Sequence, residues 1–347
     1  MHVPALLRLP GVTVGALADS DPDRLRALAS VCPFAVAYAD YRELIDDASV
    51  DLVAVCVPAT LHAPIGTAAL RAGKHLFVEK PLALTRDDCD LLVAEGHAAD
   101  GRGSRSAVGF NLRSHRLVQQ ARQLVQSGRL GDIELLRTAW TADWSGRSRP
   151  AWHAERIQGG GALIEIGSHL VDLWRFLLES EVELVHALSQ SAAFDDQTVV
   201  LEARMRSGVL VSAAASQTSA SHNVIEIFGS RGSLRLSCYH ADSLEVWPTA
   251  GPTRGAWRRI GPIVRRALKL PAAFVAARQG GDFRASYGRQ WERIVHGIRT
   301  GAAVPASLED GRQAARVVCA ALQSIADGGP MWPSRTVHDP LEGGVPR

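Results

Sequence analysis

The chain has 347 residues, of which 46% are hydrophobic and 21% are charged, and its formal net charge is +2. This composition excludes collagen-like, disulfide-scaffold and disordered proteins, and a charge so close to zero gives no support to nucleic-acid binding. The length exceeds the roughly 250–300 residues at which a single hydrophobic core stops growing, so we expect two domains.

The cysteines and the hydropathy pattern predict a reduced, cytoplasmic protein. Five cysteines lie far apart, and none forms a Cys-x-x-Cys or other metal-binding spacing. Cys56 lies in the apolar run Leu52–Val57 and is expected to be a buried small hydrophobe. No segment reaches the ~18 uninterrupted apolar residues of a membrane helix. The N-terminus lacks the charged region and cleavage site of a secretory signal.

Over residues 1–112, predicted strands alternate with predicted helices. This alternation is typical of a parallel, doubly wound sheet, and we predict an α/β nucleotide-binding domain here. Asp21 is expected to cap a helix that has Pro22 at its first position, and Thr85 is expected to start a later helix. The predicted strands are Val12–Ala18, Ala35–Tyr38, Asp51–Val57, His75–Val78 and Ser106–Phe110. The other predicted helices are Tyr41–Ala48, Leu61–Ala72 and Thr85–Ala99.

In residues 113–330, several predicted strands follow one another without intervening helices. This pattern predicts an α+β domain with a large open, mainly antiparallel sheet. Several of its strands alternate apolar and polar residues, so one face is expected to be covered. The other face is expected to pack in a homo-oligomer, a dimer or a tetramer. The tail 331–347 is rich in Pro and Gly and is expected to be irregular. The predicted strands are Ile133–Ala142, Glu183–Ser189, Thr198–Met205, Leu210–Ser216, Val224–Phe228, Ser233–Leu236 and Leu244–Trp247. The predicted helices are Arg113–Ser127, Ala162–Leu178, one around Trp291–Ile298, and one after the capping box Ser307-x-x-Asp310.

Two predicted strand ends carry candidate binding residues. Glu79 and Lys80 follow the strand that ends at Val78, and ligands bind beyond such ends in doubly wound folds. A lysine there can donate to a substrate hydroxyl or influence a neighbouring base, although a solvated lysine is an equal alternative. Pro58 and His62 lie at another strand-to-helix turn, which is expected to face a cofactor. Alternatively, His62 has no contact with a cofactor and only forms hydrogen bonds at the start of the helix.

Three consecutive glycines, Gly159 to Gly161, precede a helix with polar residues on one face. Glu165, His169 and Asp172 recur there at i, i+4 and i+7. Glycines permit a sharp turn or a close approach to a ligand. Two carboxylates and an imidazole on an apolar helix are costly unless they are paired, and histidine suits proton transfer near neutral pH. The alternatives are a capping cluster or a metal site, and no further His or Cys lies at ligand spacing to favour metal.

These motifs resemble those of the glucose–fructose oxidoreductase / inositol dehydrogenase / MocA family. The resemblance covers roughly residues 2–325, and Glu-Lys-Pro followed by the glycines and His-x-x-Asp is specific to it. It implies a Rossmann domain, a bound NAD or NADP, an oligomer formed through the open sheet, and hydride transfer at a sugar-like or polyol carbon. The matching runs are Asp51–Pro64, Ala69–Ala83, Gly109–Arg113, Gly159–Leu173 and Ser307–Arg312.

The resemblance assigns catalytic roles to Lys80, which matches the family's active-site lysine, and to His169, which matches its catalytic histidine. His169 is expected to be the base, and Lys80 to hydrogen-bond the same hydroxyl and to keep His169 neutral by like-charge repulsion. Glu165 stands where the family usually has aspartate. The extra methylene of glutamate moves the carboxylate by about one bond length. This matters because a misplacement of ~1 Å can cost a hundredfold in rate. Asp172 is expected either to orient the imidazole or to pair within the helix.

The resemblance also places Glu79 and Pro58 where the family contacts its cofactor. Three further candidates, for substrate contacts, are Asn111, Arg113 and Trp152.

Asp19, which ends the strand Val12–Ala18, favours NAD over NADP. A carboxylate in that position accepts hydrogen bonds from the adenosine ribose and repels a 2′-phosphate. The alternative is that Asp19 and Asp21 merely cap the next helix.

No Gly-x-Gly-x-x-Gly run precedes Asp19, although a dinucleotide fold opens with a strand, such a loop and a helix. Met1 to Leu7 resembles the part of the family's first helix just after that loop. We therefore expect the natural start to lie roughly two dozen residues upstream. Without that first strand, Val12–Ala18 and Asp51–Val57 would each carry an unpaired edge. The alternative is a shortened protein that binds little cofactor.

The segment Arg254–Arg278 contains seven basic residues and no acidic one. It could grip a phosphorylated or nucleotide-linked sugar or touch a membrane surface, but a solvated insertion or a subunit contact is favoured.

The sequence therefore predicts an NAD(P)-dependent oxidoreductase that acts on a secondary alcohol of a sugar, a cyclitol or a sugar derivative. The alternatives are an NAD-assisted glycoside hydrolase and a non-catalytic sensor or scaffold.

Overall fold

The computed structural model describes residues 1–144, 146, 150–239, 242–248 and 281–334. The basic segment Arg254–Arg278 and residues 335–347 of the predicted tail lie outside this description. Within the described residues, none of the helices combines the length and the apolar composition that crossing a bilayer requires.

The first part of the chain alternates strands and helices and pairs its strands in parallel, as predicted. Most of its elements are shorter than the apolar runs that predicted them. The strands are β1 (Ala16–Ala18), β2 (Val36–Tyr38), β3 (Leu52–Val55), β4 (His75–Val78) and β5 (Ser106–Val108). The helices are α1 (His2–Leu6), α2 (Pro22–Val31), α3 (Tyr41–Asp46), α4 (His62–Arg71) and α5 (Arg86–Asp100).

The predicted helix caps are confirmed. The Asp21 carboxylate accepts hydrogen bonds from the backbone amides of Asp23 and Arg24, and Pro22 is the first residue of α2. The Thr85 hydroxyl accepts from the amide of Asp88 at the start of α5. These side chains satisfy amides that have no partner within the helix.

The parallel strands form two separate groups in the described part of the chain. β1 pairs with β2, β3 and β5 flank β4, and no ladder joins β1 to β3. Among the described strands, β1 therefore has one edge without a strand partner, and so does β3. Packing is also thin at this end, since neither α1 nor α2 has a fully buried residue.

Cys56 corrects a sequence prediction. It is exposed, whereas the other four cysteines are buried. Val53 and Val55 of β3 point inward and Ala54 points outward, so the next residue in the alternation, Cys56, also points outward. The apolar run suggested burial on both sides, but one side of this strand is open.

The second part of the chain forms a seven-stranded sheet with the order β12-β11-β10-β6-β9-β8-β7. All neighbours are antiparallel except β6 and β9, so the predicted mainly antiparallel sheet is confirmed. The strands are β6 (Ile133–Asp143), β7 (Val182–Gln190), β8 (Thr198–Met205), β9 (Leu210–Ser216), β10 (Thr218–Gly229), β11 (Gly232–Ser237) and β12 (Ser243–Pro248).

Helices cover one face of this sheet and connect it to the first part of the chain. They are α6 (Arg116–Gln126), α7 (Ser168–Leu178), α8 (Gly281–Thr300) and α9 (Leu308–Asp327). α8 begins ten residues before the predicted Trp291. α9 begins at the predicted capping box, with Ser307 and Asp310 each bonded to the other's backbone amide. It packs on α5, α7 and β7, so one continuous core joins both parts. The domain boundary at residue 112 stays a prediction.

Candidate active site

Lys80 lies beyond the carboxyl end of β4 and reaches the helical segment that carries Glu165 and His169. Its Nζ donates a hydrogen bond of 2.8 Å to the backbone carbonyl of Glu165. The amide of Glu79 donates to the carbonyl of Val55 at 2.9 Å, which holds the ends of β3 and β4 side by side. The structure thus brings together two predicted site residues, Lys80 and Glu165, that lie 85 positions apart.

The predicted helix Ala162–Leu178 begins with a π-helical turn, Leu163–Gly167, before α7 starts at Ser168. Turns of this type often occur at functional sites. His169 is half-buried on α7, and its ring centroid lies 5.6 Å from that of Trp140. The pKa of His169 is well below its ordinary value, first because the surrounding protein desolvates the ring and second because the Lys80 charge lies nearby. His169 is therefore neutral at pH 7 and able to accept a proton.

The Glu165 carboxylate contacts two residues that the sequence did not single out. Its Oε1 contacts Nδ1 of His153, and its Oε2 accepts a hydrogen bond of 2.9 Å from Nε2 of Gln217. His153 lies in a short 3-10 turn, Ala151–Ala154, and Gln217 lies between β9 and β10. Neither belongs to a motif, so no local signal could have identified them.

The three glycines approach the protein's own backbone. A Cβ on Gly160 would collide with the carbonyl of His153, and one on Gly161 would lie 2.8 Å from the carbonyl of Asp195. Gly159 and Gly161 also have positive φ angles of 95° and 88°. Of the two interpretations from sequence, the structure shows the sharp turn, and this turn positions the loop that carries His153.

Asp172 and Arg113 bind each other, which corrects one prediction. Arg113 Nε lies 3.0 Å from both oxygens of Asp172, and its Nη2 lies 2.6 Å from Oδ1. Arg113 also donates to Asp310 at 3.0 Å, and both Arg113 and Asp172 are buried. Asp172 therefore pairs with Arg113 and does not orient His169. The Arg113 guanidinium is engaged by two carboxylates, and its role as a substrate contact stays a prediction.

The other two proposed substrate contacts differ in their surroundings. Asn111 is fully buried, its Nδ2 donates a 2.8 Å hydrogen bond to Ser286 on α8, and its Oδ1 has no hydrogen-bond partner among the described residues, so its substrate contact stays a prediction. Trp152 is half-buried and stacks on His153 with ring centroids 3.5 Å apart, which leaves it beside the Glu165 cluster.

Glu79 is held by two neighbours. Its Oε1 accepts a 2.8 Å hydrogen bond from His2, and its Oε2 accepts one of 3.0 Å from the amide of Lys80. Burial by itself would raise the pKa of Glu79, but His2 and Lys80 together lower it by more. The pKa of Glu79 therefore lies below its ordinary value. Gly109 is needed beside it, because a Cβ there would lie 2.7 Å from Oε1.

Residues of α8 complete the surroundings of Glu79 and were not predicted. Trp291 Nε1 donates to Nδ1 of His2 at 3.1 Å, so the His2 Nε2 proton is directed at Glu79. The ring of Tyr287 lies 5.2 Å from that of His2. Burial, and next Glu79, raise the pKa of Tyr287.

The three remaining cofactor candidates lie at strand ends. Asp19 Oδ1 accepts a 2.9 Å hydrogen bond from the amide of Asp21, a capping contact, and Oδ2 makes no hydrogen bond to any described residue. Pro58 accepts from the amide of Leu61 at 2.9 Å and starts the turn into α4.

His62 bridges two backbone carbonyls, those of Pro81 at 2.8 Å and Val57 at 2.9 Å. It is buried, and burial lowers its pKa. Each ring nitrogen faces a backbone carbonyl, and the N–H of the neutral ring donates to one of them, so His62 links the segments that follow β3 and β4 and does not cap the helix start. A cofactor contact of His62 stays a prediction. Among the described residues, no group of three or more His, Cys, Asp or Glu could hold a metal ion.

Comparison with known proteins agrees with this arrangement. Residues 1–110 match the model of an oxidoreductase family with an NAD-binding Rossmann fold, and residues 118–235 match the GFO/IDH/MocA C-terminal domain. A 1,5-anhydro-D-fructose reductase of Ensifer adhaerens is 30% identical over 66% of this chain and 69% of its own. A myo-inositol 2-dehydrogenase of Thermotoga maritima is 26% identical over 94% of this chain and 93% of its own.

The solved structure of a scyllo-inositol dehydrogenase from Lactobacillus casei with NAD(H) and scyllo-inositol shares the fold. It superposes with a TM-score of 0.78 at 19% identity and covers 96% of this chain and 95% of its own. The two family models together span both parts of the chain, and the chain therefore belongs to the GFO/IDH/MocA family of NAD-binding oxidoreductases.

Proposed function

We propose that this protein transfers a hydride between NAD and a secondary alcohol of a sugar or cyclitol, with His169 as the base and Lys80 assisting. One observation carries the proposal: Lys80 Nζ is anchored 2.8 Å from the Glu165 carbonyl, one turn before a histidine that its charge helps to keep neutral. The named activities of the inositol dehydrogenase and the anhydrofructose reductase support the substrate class.

The described residues fit the two ends of a dinucleotide. Pro58 and Glu79 follow neighbouring strands, because Val55 and Val78 are register partners at the carboxyl ends of β3 and β4. Cofactors of this fold bind at that edge of the sheet. Asp19 ends the next parallel group with one carboxylate oxygen directed at no described residue, which favours a ribose hydroxyl and thus NAD over NADP. When bound, the nicotinamide supplies the hydride acceptor and donor.

The protein's own residues move the proton. In the oxidation direction, the neutral His169 ring accepts the proton of the substrate hydroxyl. Lys80 donates a hydrogen bond to the same oxygen and stabilises the negative charge that develops on it. Both groups are aligned before substrate binds, since the Glu165 carbonyl holds the ammonium and α7 holds the ring.

The test follows NADH absorbance and free sugar release together, over myo-inositol, scyllo-inositol, levoglucosan and matched glycosides. We expect NADH to form from a polyol without sugar release, and calorimetry to show tighter binding of NAD than of NADP. Sugar release without net NADH would instead indicate redox-assisted glycoside cleavage. If neither signal appears with any compound, the non-catalytic alternative is supported.

Lys80→Ala and His169→Ala should each lower kcat by roughly a hundredfold or more, since each removes an interaction made mainly in the transition state. His97→Ala, which changes an exposed histidine on α5, is the matched control and should keep full activity. A kcat near normal in either site variant would contradict the mechanism.

A further inference from the structure

His2 lies between two polar groups that reach it from distant parts of the chain. Its Nδ1 atom accepts a hydrogen bond of 3.1 Å from the indole Nε1 of Trp291 on α8, and its Nε2 atom lies 2.8 Å from Oε1 of Glu79. An indole N–H can only donate and a carboxylate can only accept, so the ring proton is carried on Nε2. The indole of Trp291 therefore selects the tautomer of His2 that donates to Glu79.

Aromatic rings fix the plane of the His2 ring. The ring centroids of Phe77 and Tyr287 each lie 5.2 Å from that of His2, and the centroid of Trp291 lies 5.8 Å away. Phe77 and Trp291 are fully buried and belong to a small second core against which α1 packs. The His2 side chain is only 16% exposed. Packing within the protein thus determines the direction in which this ring donates.

Glu79 is held beside Lys80 by the same arrangement. Its Oε2 accepts a hydrogen bond of 3.0 Å from the amide of Lys80, while its Oε1 accepts from His2. Gly109 closes another side, since a Cβ there would lie 2.7 Å from Oε1 and 2.9 Å from Oε2. The carboxylate is thereby restricted to one orientation, next to the lysine whose ammonium bonds the Glu165 carbonyl.

The Glu79 carboxylate keeps capacity for a ligand. A carboxylate has about four acceptor positions, and the described residues use two of them. The side chain is 21% exposed. Burial alone would raise its pKa, but His2 and Lys80 bring the pKa below its ordinary value, so the group is ionised at neutral pH. A charged and oriented acceptor of this kind suits a hydroxyl donor.

The position of Lys80 indicates which part of the cofactor lies here. In the proposed function, Lys80 and His169 bond the reacting hydroxyl, so the nicotinamide must lie beside them to exchange the hydride. Glu79 directly precedes Lys80 at the end of β4, whereas Asp19 follows β1 in the other group of parallel strands. Glu79 is therefore at the nicotinamide half of the dinucleotide, where the available hydroxyls are those of the nicotinamide ribose.

We propose that His2 is a positioning residue for the cofactor, which holds the Glu79 carboxylate so that Glu79 accepts a hydrogen bond from a hydroxyl of the nicotinamide ribose. Trp291 acts through His2 by fixing its tautomer. The inference rests on the proposed function, which supplies the place of the nicotinamide. An acceptor that is oriented in advance binds more tightly, because less conformational freedom is lost on binding.

The test measures the Kd of NADH by calorimetry for the wild type and for two substitutions that separate the two ring nitrogens. The amide nitrogen of glutamine reaches about as far as Nε2 of histidine, and the amide oxygen of asparagine about as far as Nδ1. His2→Gln therefore keeps a donor for Glu79, whereas His2→Asn keeps only the acceptor for Trp291. We expect His2→Asn to raise the Kd by about tenfold or more and His2→Gln by about threefold or less.

A double-mutant cycle with Glu79 distinguishes positioning from a general effect on packing. Glu79→Gln should itself weaken NADH binding, and His2→Asn should then have little further effect, because His2 acts through the carboxylate. In His2→Asn the KM for NAD should rise with the Kd, while kcat changes much less. His97→Asn, which changes an exposed histidine on α5, is the matched control and should bind NADH as the wild type does.

Circular dichroism and thermal unfolding establish first that each variant folds. If His2→Asn does not fold, His2→Leu replaces it, since leucine fills the space between the rings without supplying a donor. Wild-type affinity for NADH in the folded variant that lacks the donor would overturn the proposal. So would an equal loss of affinity from His2→Asn in the wild-type and Glu79→Gln backgrounds.

The failure of the proposed function is distinguishable from the failure of this inference. If the wild type binds NADH but oxidises no polyol, the substrate assignment fails, and the NADH titrations of the His2 variants still decide the role of His2. If the wild type oxidises a polyol and His2→Asn binds NADH normally, only the inference is overturned. Absence of NADH binding by the wild type would overturn both.

Discussion

His169 keeps its ring neutral through its surroundings. Burial removes water from the ring, and the ammonium of Lys80 adds like-charge repulsion, so the pKa lies well below its ordinary value of 6.5. The base form is therefore present at and below neutral pH. The same feature affects stability: the unfolded chain binds this proton more readily, so the contribution of His169 is complete above about pH 6.5 and is lost as the pH falls.

The pH dependence of catalysis should follow. We expect kcat/KM to stay level as the pH falls from 8 to 6.5 and to decline only below that. Lys80→Met removes the second cause of the low pKa, so the pKa of His169 should rise and the acid limb should move to higher pH. The measurement is the pH profile of kcat/KM, or the NMR titration of the His169 ring where turnover is too slow. An acid limb that moves to lower pH, or does not move, would contradict the effect of the Lys80 charge on the pKa of His169.

At the level of elements, a buried ion pair joins the turn Asn111–Ser114 to α7 and, through Asp310, to α9. Burial raises the pKa of Asp172, and the Arg113 charge offsets part of that rise. Such a pair adds little net stability by itself, but loss of Asp172 leaves the buried Arg113 charge with Asp310 as its remaining carboxylate partner.

We therefore expect Asp172→Asn to lower the free energy of unfolding by about 1–3 kcal/mol in urea titrations, because Asp310 still compensates part of the Arg113 charge. Glu183→Gln, which breaks an exposed pair with Arg204, is the control and should cost about 0–1 kcal/mol. The kcat of folded Asp172→Asn should stay near that of the wild type, since Asp172 does not contact His169. Full stability together with a large loss of kcat would restore the orienting role first considered for Asp172.

For the whole molecule, the uncovered face of the seven-stranded sheet carries exposed apolar residues that bear on assembly. Large apolar side chains are exposed on neighbouring strands, with Leu188 at 62%, Val200 at 44% and Leu210 at 55%. Leu188 and Val200 are register partners on β7 and β8, so they form one patch. A contiguous apolar surface of this kind is typical of a subunit interface, and it supports the proposed homo-oligomer.

We expect the wild type to sediment as a dimer or a tetramer and the double variant Leu188→Glu, Val200→Glu to sediment as a monomer, because the variant places acidic groups in the interface. The control, Leu91→Glu, changes a leucine on α5 that is 42% exposed, close to the 44% of Val200, and should leave the assembly intact. Analytical ultracentrifugation distinguishes these outcomes. A wild type that is monomeric at high concentration would rule out the open sheet as an interface.

Local features of the sequence were sufficient for much of this protein. Asp21, Thr85 and Ser307 determine where their helices begin, because a cap bonds to amides only two or three residues away. The alternation of strands and helices predicted the class of each part of the chain, and the position of Lys80 after a buried strand made it a candidate site residue. These signals depend on near neighbours, and near neighbours are what a sequence displays directly.

The tertiary structure decided which groups meet. Asp172 pairs with Arg113 and not with His169, Glu165 reaches His153 and Gln217, and Cys56 is exposed although it lies in an apolar run. Each of these outcomes depends on packing between segments that lie far apart in the chain, or on which side of a strand is left open. Periodicity shows that a side chain must be buried or paired, but the partner is determined only when the elements come together.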